Sequence, residues 1–135
     1  MAGVSTVHVQ SVPGQLYQNT IQIGGHHLTA DVPATLGGQD TGPTPMNMLM
    51  GALASCTAIT LQMYARRKGW DLREIAVDVT EVTQGGQTTF EKEIKVKGQL
   101  DPAQIQALET VAEKCPVNKV IKGSTPVQSR INLVV

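Results

Sequence analysis

The sequence predicts an α+β fold, and three observations lead to this class. Two regions alternate apolar and polar residues around paired glycines, as β-hairpins do. A long run of strong helix formers separates them, so strands and helices are segregated and do not alternate as βαβ units. The chain has 135 residues, enough for its own core, and we expect residues 1–135 to form a single domain.

The N-terminal region is expected to form two or three antiparallel strands. Val4, Val7 and Val9 alternate with polar residues, and the pattern continues on both sides of Gly24-Gly25. Paired glycines favour a two-residue hairpin turn because they adopt positive φ angles without strain. Residues 33–45 are rich in glycine and proline and are therefore expected to form a loop.

A long helix is predicted from Pro45 to Lys68. Thr44 can cap it, and Pro45 can take the first helical position, where a missing N–H loses no intrahelical bond. Apolar residues occur on nearly all sides of this helix, so we expect it to be buried on most sides. One small sheet cannot cover such a helix, which predicts that a second copy completes the fold as a homodimer.

The C-terminal half is expected to form a hairpin, two helices and a final strand. Alternating strands flank Gly85-Gly86. Asp101 and Pro102 mark the next helix as its cap and first residue, and a short helix begins at Pro116. Residues 126–135 alternate again, with apolar side chains at Val127, Ile131, Leu133 and Val135.

Charge and composition argue against several classes of function. The chain has 11 basic and 11 acidic residues, so it lacks the basic excess typical of nucleic-acid-binding proteins. The first residues lack a signal-peptide pattern, and the apolar stretch at 46–59 is too interrupted to span a bilayer. We therefore expect a cytoplasmic protein with neither nucleic-acid nor membrane partners.

Cys56 and Cys115 are the only cysteines and the main candidates for chemistry. A structural zinc site needs four Cys or His ligands, usually in close pairs, so no metal site is expected. A standing structural disulfide is uncommon in the cytoplasm, which leaves redox chemistry or simple packing. Cys56 could be an inert buried thiol within its helix, and Cys115 could pack under a helix junction.

One feature of Cys115 favours reactivity. The residue directly precedes Pro116 and can therefore be the N-cap of the short helix. The N–H groups of Val117 and Asn118 would then face its sulfur and favour a thiolate. Apolar surroundings within the long helix would act in the opposite direction on Cys56.

Two segments resemble the OsmC/Ohr family of osmotically inducible and organic hydroperoxide resistance proteins. They are DTGPTPMNMLMGALASCTAITLQMYARRKGW at residues 40–70 and AEKCPVNKVI at residues 112–121. The first segment is more similar to the general OsmC-like branch. The resemblance spans nearly the whole chain and implies an OsmC-like fold, an intertwined homodimer whose antiparallel sheets wrap around long central helices.

The resemblance also implies a peroxiredoxin activity in the oxidative stress response. Cys56 matches the peroxidatic cysteine, which attacks the peroxide O–O bond and becomes a sulfenic acid. Cys115 matches the resolving cysteine, which condenses with that acid to a disulfide. An external dithiol, expected to be a dihydrolipoyl group, restores both thiols, and no metal or flavin cofactor is needed. The expected substrates are organic hydroperoxides, with hydrogen peroxide as a further one.

Three residues at the start of the long helix are expected to bind substrate. These residues are Met46, Asn47 and Met50. Together with Leu49, the two methionines could line an apolar pocket next to the Cys56 sulfur. Active family members carry a glutamate in this stretch and an arginine in the N-terminal strands, whereas this chain has Met46 and Asn47 there. An activating arginine would have to come from the later part of the chain, from Arg66, Arg67, Arg73 or Arg130.

The unmatched glutamate and arginine motivate an alternative function. In this hypothesis the protein is a non-catalytic OsmC-like binder of a small apolar ligand, or a slow redox sensor. The two cysteines would then be packing residues or slowly oxidised groups. The alternative differs from the peroxidase hypothesis in predicting negligible turnover of peroxide.

Overall fold

The computed structural model describes residues 5–134, and the chain divides into two compact units between Met50 and Gly51. The single domain expected over residues 1–135 stays a prediction. Antiparallel sheets and helices are segregated along the chain, which confirms the α+β class. The elements are β1 (His8–Ser11), β2 (Asn19–Ile23), β3 (His26–Ala30), a 3-10 turn (Ala34–Leu36), α1 (Pro45–Lys68), β4 (Asp71–Gln84), β5 (Gln87–Gln99), α2 (Pro102–Ala112) and α3 (Pro116–Lys122).

The N-terminal unit contains a three-stranded antiparallel sheet in the order β1-β2-β3. Ile23 pairs with His26 across the two glycines, and Gly24 has a φ of 58°. A positive φ at the first turn residue is typical of tight hairpins, and the predicted turn is confirmed. Val4, expected in the first strand, lies outside the described residues.

One carboxylate organises the loop between β3 and α1. Asp31 is 3% exposed and accepts hydrogen bonds from the Thr41 hydroxyl at 2.6 Å and the Thr41 N–H at 3.1 Å. These bonds, together with one from the Val32 N–H, hold the pKa of Asp31 below its usual range. The loop leads to the predicted cap of α1, where Thr44 Oγ1 accepts a hydrogen bond from the Asn47 N–H at 3.2 Å.

α1 is the core helix of the C-terminal unit. Its length and apolar composition would also suit a membrane span, but one side of it is packed against protein. The opposite side is open within the single chain, with Ile59 53% and Met63 63% exposed. The expectation of burial on most sides is thus not met by one chain alone. The buried stripe has four-residue spacing and consists of Leu53, Thr57, Leu61 and Ala65.

A long hairpin forms the sheet of the C-terminal unit. β4 pairs with β5 in antiparallel register, and Gly85 and Gly86 make the predicted turn with φ angles of 58° and 79°. Alternate residues of both strands are half-buried on one face. On β5 these inward residues are Phe90, Lys92, Ile94 and Val96.

α2 packs against this hairpin and against α1. Asp101 caps α2 as predicted, since its side chain accepts from the Gln104 N–H and the Gln104 side chain accepts from the Asp101 N–H. Leu61 of α1 and Leu108 and Ala112 of α2 form the buried centre of the core. Half-buried side chains surround this centre, namely Tyr64, Trp70, Ile75, Ile94, Leu100 and Val111.

The predicted C-terminal strand is wrong for the part of the chain that the structure describes. Residues 124–134 form neither a helix nor a strand. Val127, Ile131 and Leu133 are 84%, 97% and 91% exposed, and Val135 lies outside the described residues. An alternating segment becomes a strand only when a neighbouring strand satisfies its backbone N–H and C=O groups.

Replacing the central core leucine is expected to destabilise the fold. Leu61 is 1% exposed, so Leu61→Ala should lower the free energy of unfolding by about 2–5 kcal/mol through lost burial and a residual cavity. Urea unfolding followed by circular dichroism measures this loss. Leu16→Ala is the matched control, because Leu16 is 74% exposed and its truncation should change stability by less than about 0.5 kcal/mol. Equal effects of the two substitutions would contradict this assignment of the core.

Candidate functional site

Cys115 lies at the junction of α2 and α3 and is fully buried, with 0% exposure. Its extended backbone makes it the N-cap of α3, and Pro116 follows as the first helical residue. The Cys115 sulfur accepts a hydrogen bond from the Asn118 N–H at 3.4 Å. The sequence-based prediction that Cys115 caps this helix is therefore confirmed.

The Thr57 hydroxyl lies against the Cys115 sulfur. Thr57 Oγ1 is 3.6 Å from Cys115 Sγ and is fully buried. It also donates a hydrogen bond to the Leu53 carbonyl at 3.0 Å, as a threonine within a helix often does. Thr57 directly follows Cys56, and the Cys56 side chain lies next to the Cys115 sulfur. Both cysteines are free thiols, Cys56 half-buried and Cys115 buried.

Lys92 brings a positive charge to the same place. Its ammonium donates hydrogen bonds to Thr57 Oγ1 at 3.0 Å and to the Ala112 carbonyl at 3.3 Å. Its side chain is only 10% exposed, and the Glu113 carboxylate lies 4.0 Å away. A buried ammonium is costly unless polar groups surround it. Here a hydroxyl, a carbonyl and a carboxylate meet this requirement.

The surroundings of Cys115 lower its pKa below the ordinary value. Burial is the strongest single influence and acts to raise the pKa. It is outweighed by hydrogen bonding, first with the Thr57 hydroxyl and then from the Asn118 N–H. The Cys56 side chain and the positive charge of Lys92 lower the pKa further. These contacts thus favour the thiolate form of Cys115 more than water does for a free cysteine.

A cavity of about 990 Å³ adjoins this cluster within the C-terminal unit. Its lining includes Lys92 itself, Ala112, which accepts a hydrogen bond from Lys92, and Asn118, whose N–H donates to the Cys115 sulfur. Half of its lining residues are apolar, and such a volume can take a small molecule with an apolar part. The apolar lining residues are Leu53, Leu61, Phe90, Ile94, Val96, Ile105, Leu108, Ala112 and Ile121.

The structure brings together two of the five site residues predicted from the sequence, Cys56 and Cys115. Met46, Asn47 and Met50 lie in the first two turns of α1, within the N-terminal unit. Met46 is 43% exposed there. Contact of these three residues with a substrate stays a prediction.

Sequence reasoning missed Lys92 and Thr57. The cation next to Cys115 is a lysine on β5, whereas an arginine was the expected activating cation. The segment FEKEIKV contained a usable signal, because Lys92 alternates in phase with Phe90 and Ile94. A lysine at an inward position of a strand must find buried acceptors, which marks it as a candidate site residue.

Comparisons with known proteins agree with this fold. The model of the OsmC-like protein family matches residues 38–130. A solved OsmC-like protein from Mycoplasma pneumoniae is 17% identical, with 91% of this chain and 90% of that chain covered and a TM-score of 0.73. No match was found among curated proteins.

Two solved organic hydroperoxide resistance proteins are also similar. OhrB of Bacillus subtilis is 22% identical, with 90% of this chain and 92% of that chain covered and a TM-score of 0.58. The protein from Elizabethkingia anophelis, solved with bound thiocyanate, is 17% identical, with 91% and 92% covered and a TM-score of 0.64. At these identities the likeness establishes a shared fold.

The lowered pKa of Cys115 predicts a pH-dependent stability. Between its folded pKa and the unfolded value of about 8.5, Cys115 binds fewer protons when folded, so its contribution to the free energy of unfolding rises with pH. That contribution is fully present above the unfolded value and is lost as the pH falls through the folded pKa. Urea unfolding of the reduced protein from about pH 6 to about pH 9 measures the rise.

Two serine variants test this assignment. Cys115→Ser should remove the rise while keeping a side chain that can cap α3. Cys56→Ser should retain most of the rise in the free energy of unfolding with pH, because Thr57, Asn118 and Lys92 remain in place. Identical pH dependence in the wild type and Cys115→Ser would show that Cys115 has an ordinary pKa.

Proposed function

Because this chain belongs to the OsmC-like protein family, we propose that it is a thiol-dependent peroxidase that reduces organic hydroperoxides. The observation that carries the proposal is the pairing of Cys56 with Cys115 beside a buried lysine. Organic hydroperoxide resistance proteins among the structural relatives support the class of substrate.

In the proposed reaction Cys56 reacts with the peroxide. Its sulfur attacks one oxygen of the O–O bond, the other oxygen leaves as an alkoxide that is protonated to an alcohol, and Cys56 becomes a sulfenic acid. Cys115 then attacks the Cys56 sulfur, the hydroxyl group leaves and is protonated to water, and a disulfide forms. An external dithiol, which we propose to be a dihydrolipoyl group, reduces this disulfide by exchange and is itself oxidised to a disulfide. The proposed reaction uses no metal and no flavin.

The exposure of the two cysteines supports the proposed order of their reactions. Cys56 is half-buried, so a small hydroperoxide can reach its sulfur, whereas Cys115 is fully enclosed. These features support the roles of peroxidatic Cys56 and resolving Cys115.

We also propose that the protein works as a cytoplasmic homodimer. α1 leaves Ile59 and Met63 more than half exposed, and residues 124–134 expose Val127 and Ile131 on unpaired backbone. Apolar surfaces of this kind mark interaction sites, and a second copy of the chain offers matching surfaces. A reducing cytoplasm would keep the two thiols free between turnovers.

A non-catalytic binder of small apolar ligands is a second candidate. The cavity of about 990 Å³ favours it, because apolar walls could bind a ligand without any reaction. In that case no dithiol would support turnover of peroxide, and a fatty acid would raise the melting temperature of both the wild type and Cys56→Ser.

Stoichiometric oxidation tests the peroxidase proposal. One equivalent of cumene hydroperoxide should lower the intact mass of the reduced protein by two hydrogen atoms, and peptide mapping should join Cys56 to Cys115. Cys56→Ser should abolish both the mass change and the consumption of peroxide. Cys115→Ser should consume one equivalent and accumulate a sulfenic acid that dimedone traps. Undiminished consumption by Cys56→Ser would refute the assigned role of Cys56.

A further inference from the structure

Lys92 occupies a position where a lysine is unexpected. Its neighbours on the inward face of β5 are Phe90, Ile94 and Val96, and its own side chain is 10% exposed. Lys95 shows the usual arrangement on the same strand, since it points outward, is 72% exposed and pairs with Glu93. Burying an ammonium costs free energy that hydrogen bonds only partly return, so the position calls for a functional explanation.

If Lys92 had only a structural role, its ammonium would need hydrogen-bond acceptors and nothing more. The Ala112 carbonyl and the Glu113 carboxylate could serve that purpose. The shortest bond, at 3.0 Å, instead goes to Thr57 Oγ1, the one acceptor that also lies against the Cys115 sulfur. Lys92 is thereby connected to Cys115 through a single atom.

The hydroxyl of Thr57 has one proton and two possible acceptors. When Cys115 is a neutral thiol, Thr57 can donate to the Leu53 carbonyl and accept from both Lys92 and the thiol. When Cys115 is a thiolate, the hydroxyl proton can turn to the sulfur while Lys92 still donates to the same oxygen. The Thr57 hydroxyl can therefore hydrogen-bond to Cys115 in either charge state. The bond that it accepts from Lys92 polarises the hydroxyl and so strengthens it as a donor to the thiolate.

We propose that Lys92 and Thr57 are positioning residues that hold Cys115 as the thiolate required for the resolving step. This inference rests on the proposed function, in which Cys115 attacks the sulfenic acid on Cys56. The Cys115 sulfur donates an electron pair to the Cys56 sulfur, the S–O bond breaks, and the departing hydroxide takes a proton from solvent to form water. Lys92 and Thr57 make no contact with the peroxide in this step. They set the fraction of Cys115 that is ready to attack.

The charged surroundings of Cys115 are consistent with this role. Cys56 faces it from α1 and Lys92 from β5. Glu113 lies 4.0 Å from the Lys92 ammonium and would weaken its effect, but it is 59% exposed and also pairs with Lys122 of α3 at 3.5 Å. Solvent and Lys122 thus screen the charge of the Glu113 carboxylate, whereas the enclosed ammonium of Lys92 is screened less. The net influence on Cys115 is that of a cation, in agreement with its lowered pKa.

Lys92→Met and Thr57→Val test the proposal, because each keeps side-chain volume and removes one link. In a Cys56→Ser background, the ultraviolet absorbance of the thiolate reports the titration of Cys115 alone. Both substitutions should move its midpoint upward by about one pH unit. With Cys56 present, disulfide formation at neutral pH should slow about tenfold, while trapping of the Cys56 sulfenic acid keeps its wild-type rate.

Lys95→Met is the control, since it removes an exposed lysine from the same strand and should change neither measurement. Circular dichroism verifies that each variant is folded. If Lys92→Met does not fold, Thr57→Val still tests the proposal, because it retains the Lys92 ammonium. Unchanged midpoints and unchanged disulfide rates in both variants would overturn the proposal. So would slower formation of the sulfenic acid with normal resolution, because Lys92 would then serve Cys56. Failure of the proposed function is a separate result, in which wild-type Cys56 forms no sulfenic acid while the Cys115 titration remains measurable.

Discussion

The buried ammonium of Lys92 is the constraint on which the arrangement of the C-terminal unit depends. It reaches from β5 to an oxygen of α1 and to the last carbonyl of α2, so three elements meet at one charge. A charge with so little exposure requires its partners at fixed distances. The packing of the hairpin against both helices therefore also fixes the position of Thr57, and through it the surroundings of Cys115.

Local sequence signals predicted most of the fold. Glycine pairs marked the two hairpin turns, and the Thr44 and Asp101 caps marked the starts of two helices, because these features depend on nearby backbone alone. Residues 126–135 carried the alternation of a strand but form none in the described part. A strand depends on a partner for its backbone groups, and no local pattern reveals whether one is available.

The candidate site was predictable only in part. Cys115 could be recognised as a helix cap from its neighbour Pro116, and the resemblance to a family paired it with Cys56. Thr57 and Lys92 belong to different elements, 35 residues apart, and their bond exists only after α1 and β5 have packed. The positive charge that was expected from an arginine comes from Lys92, an inward residue of β5.

The oxidation state of the Cys115 sulfur determines whether the positive groups around it are neutralised. In the disulfide that we propose, this sulfur would carry no negative charge, while the ammonium of Lys92 and the N–H of Asn118 would remain beside it. The oxidised protein would therefore have a more positive potential around the disulfide than the thiolate form has around Cys115. Such a potential attracts anions, so the oxidised state itself would draw in a reductant that arrives as a thiolate.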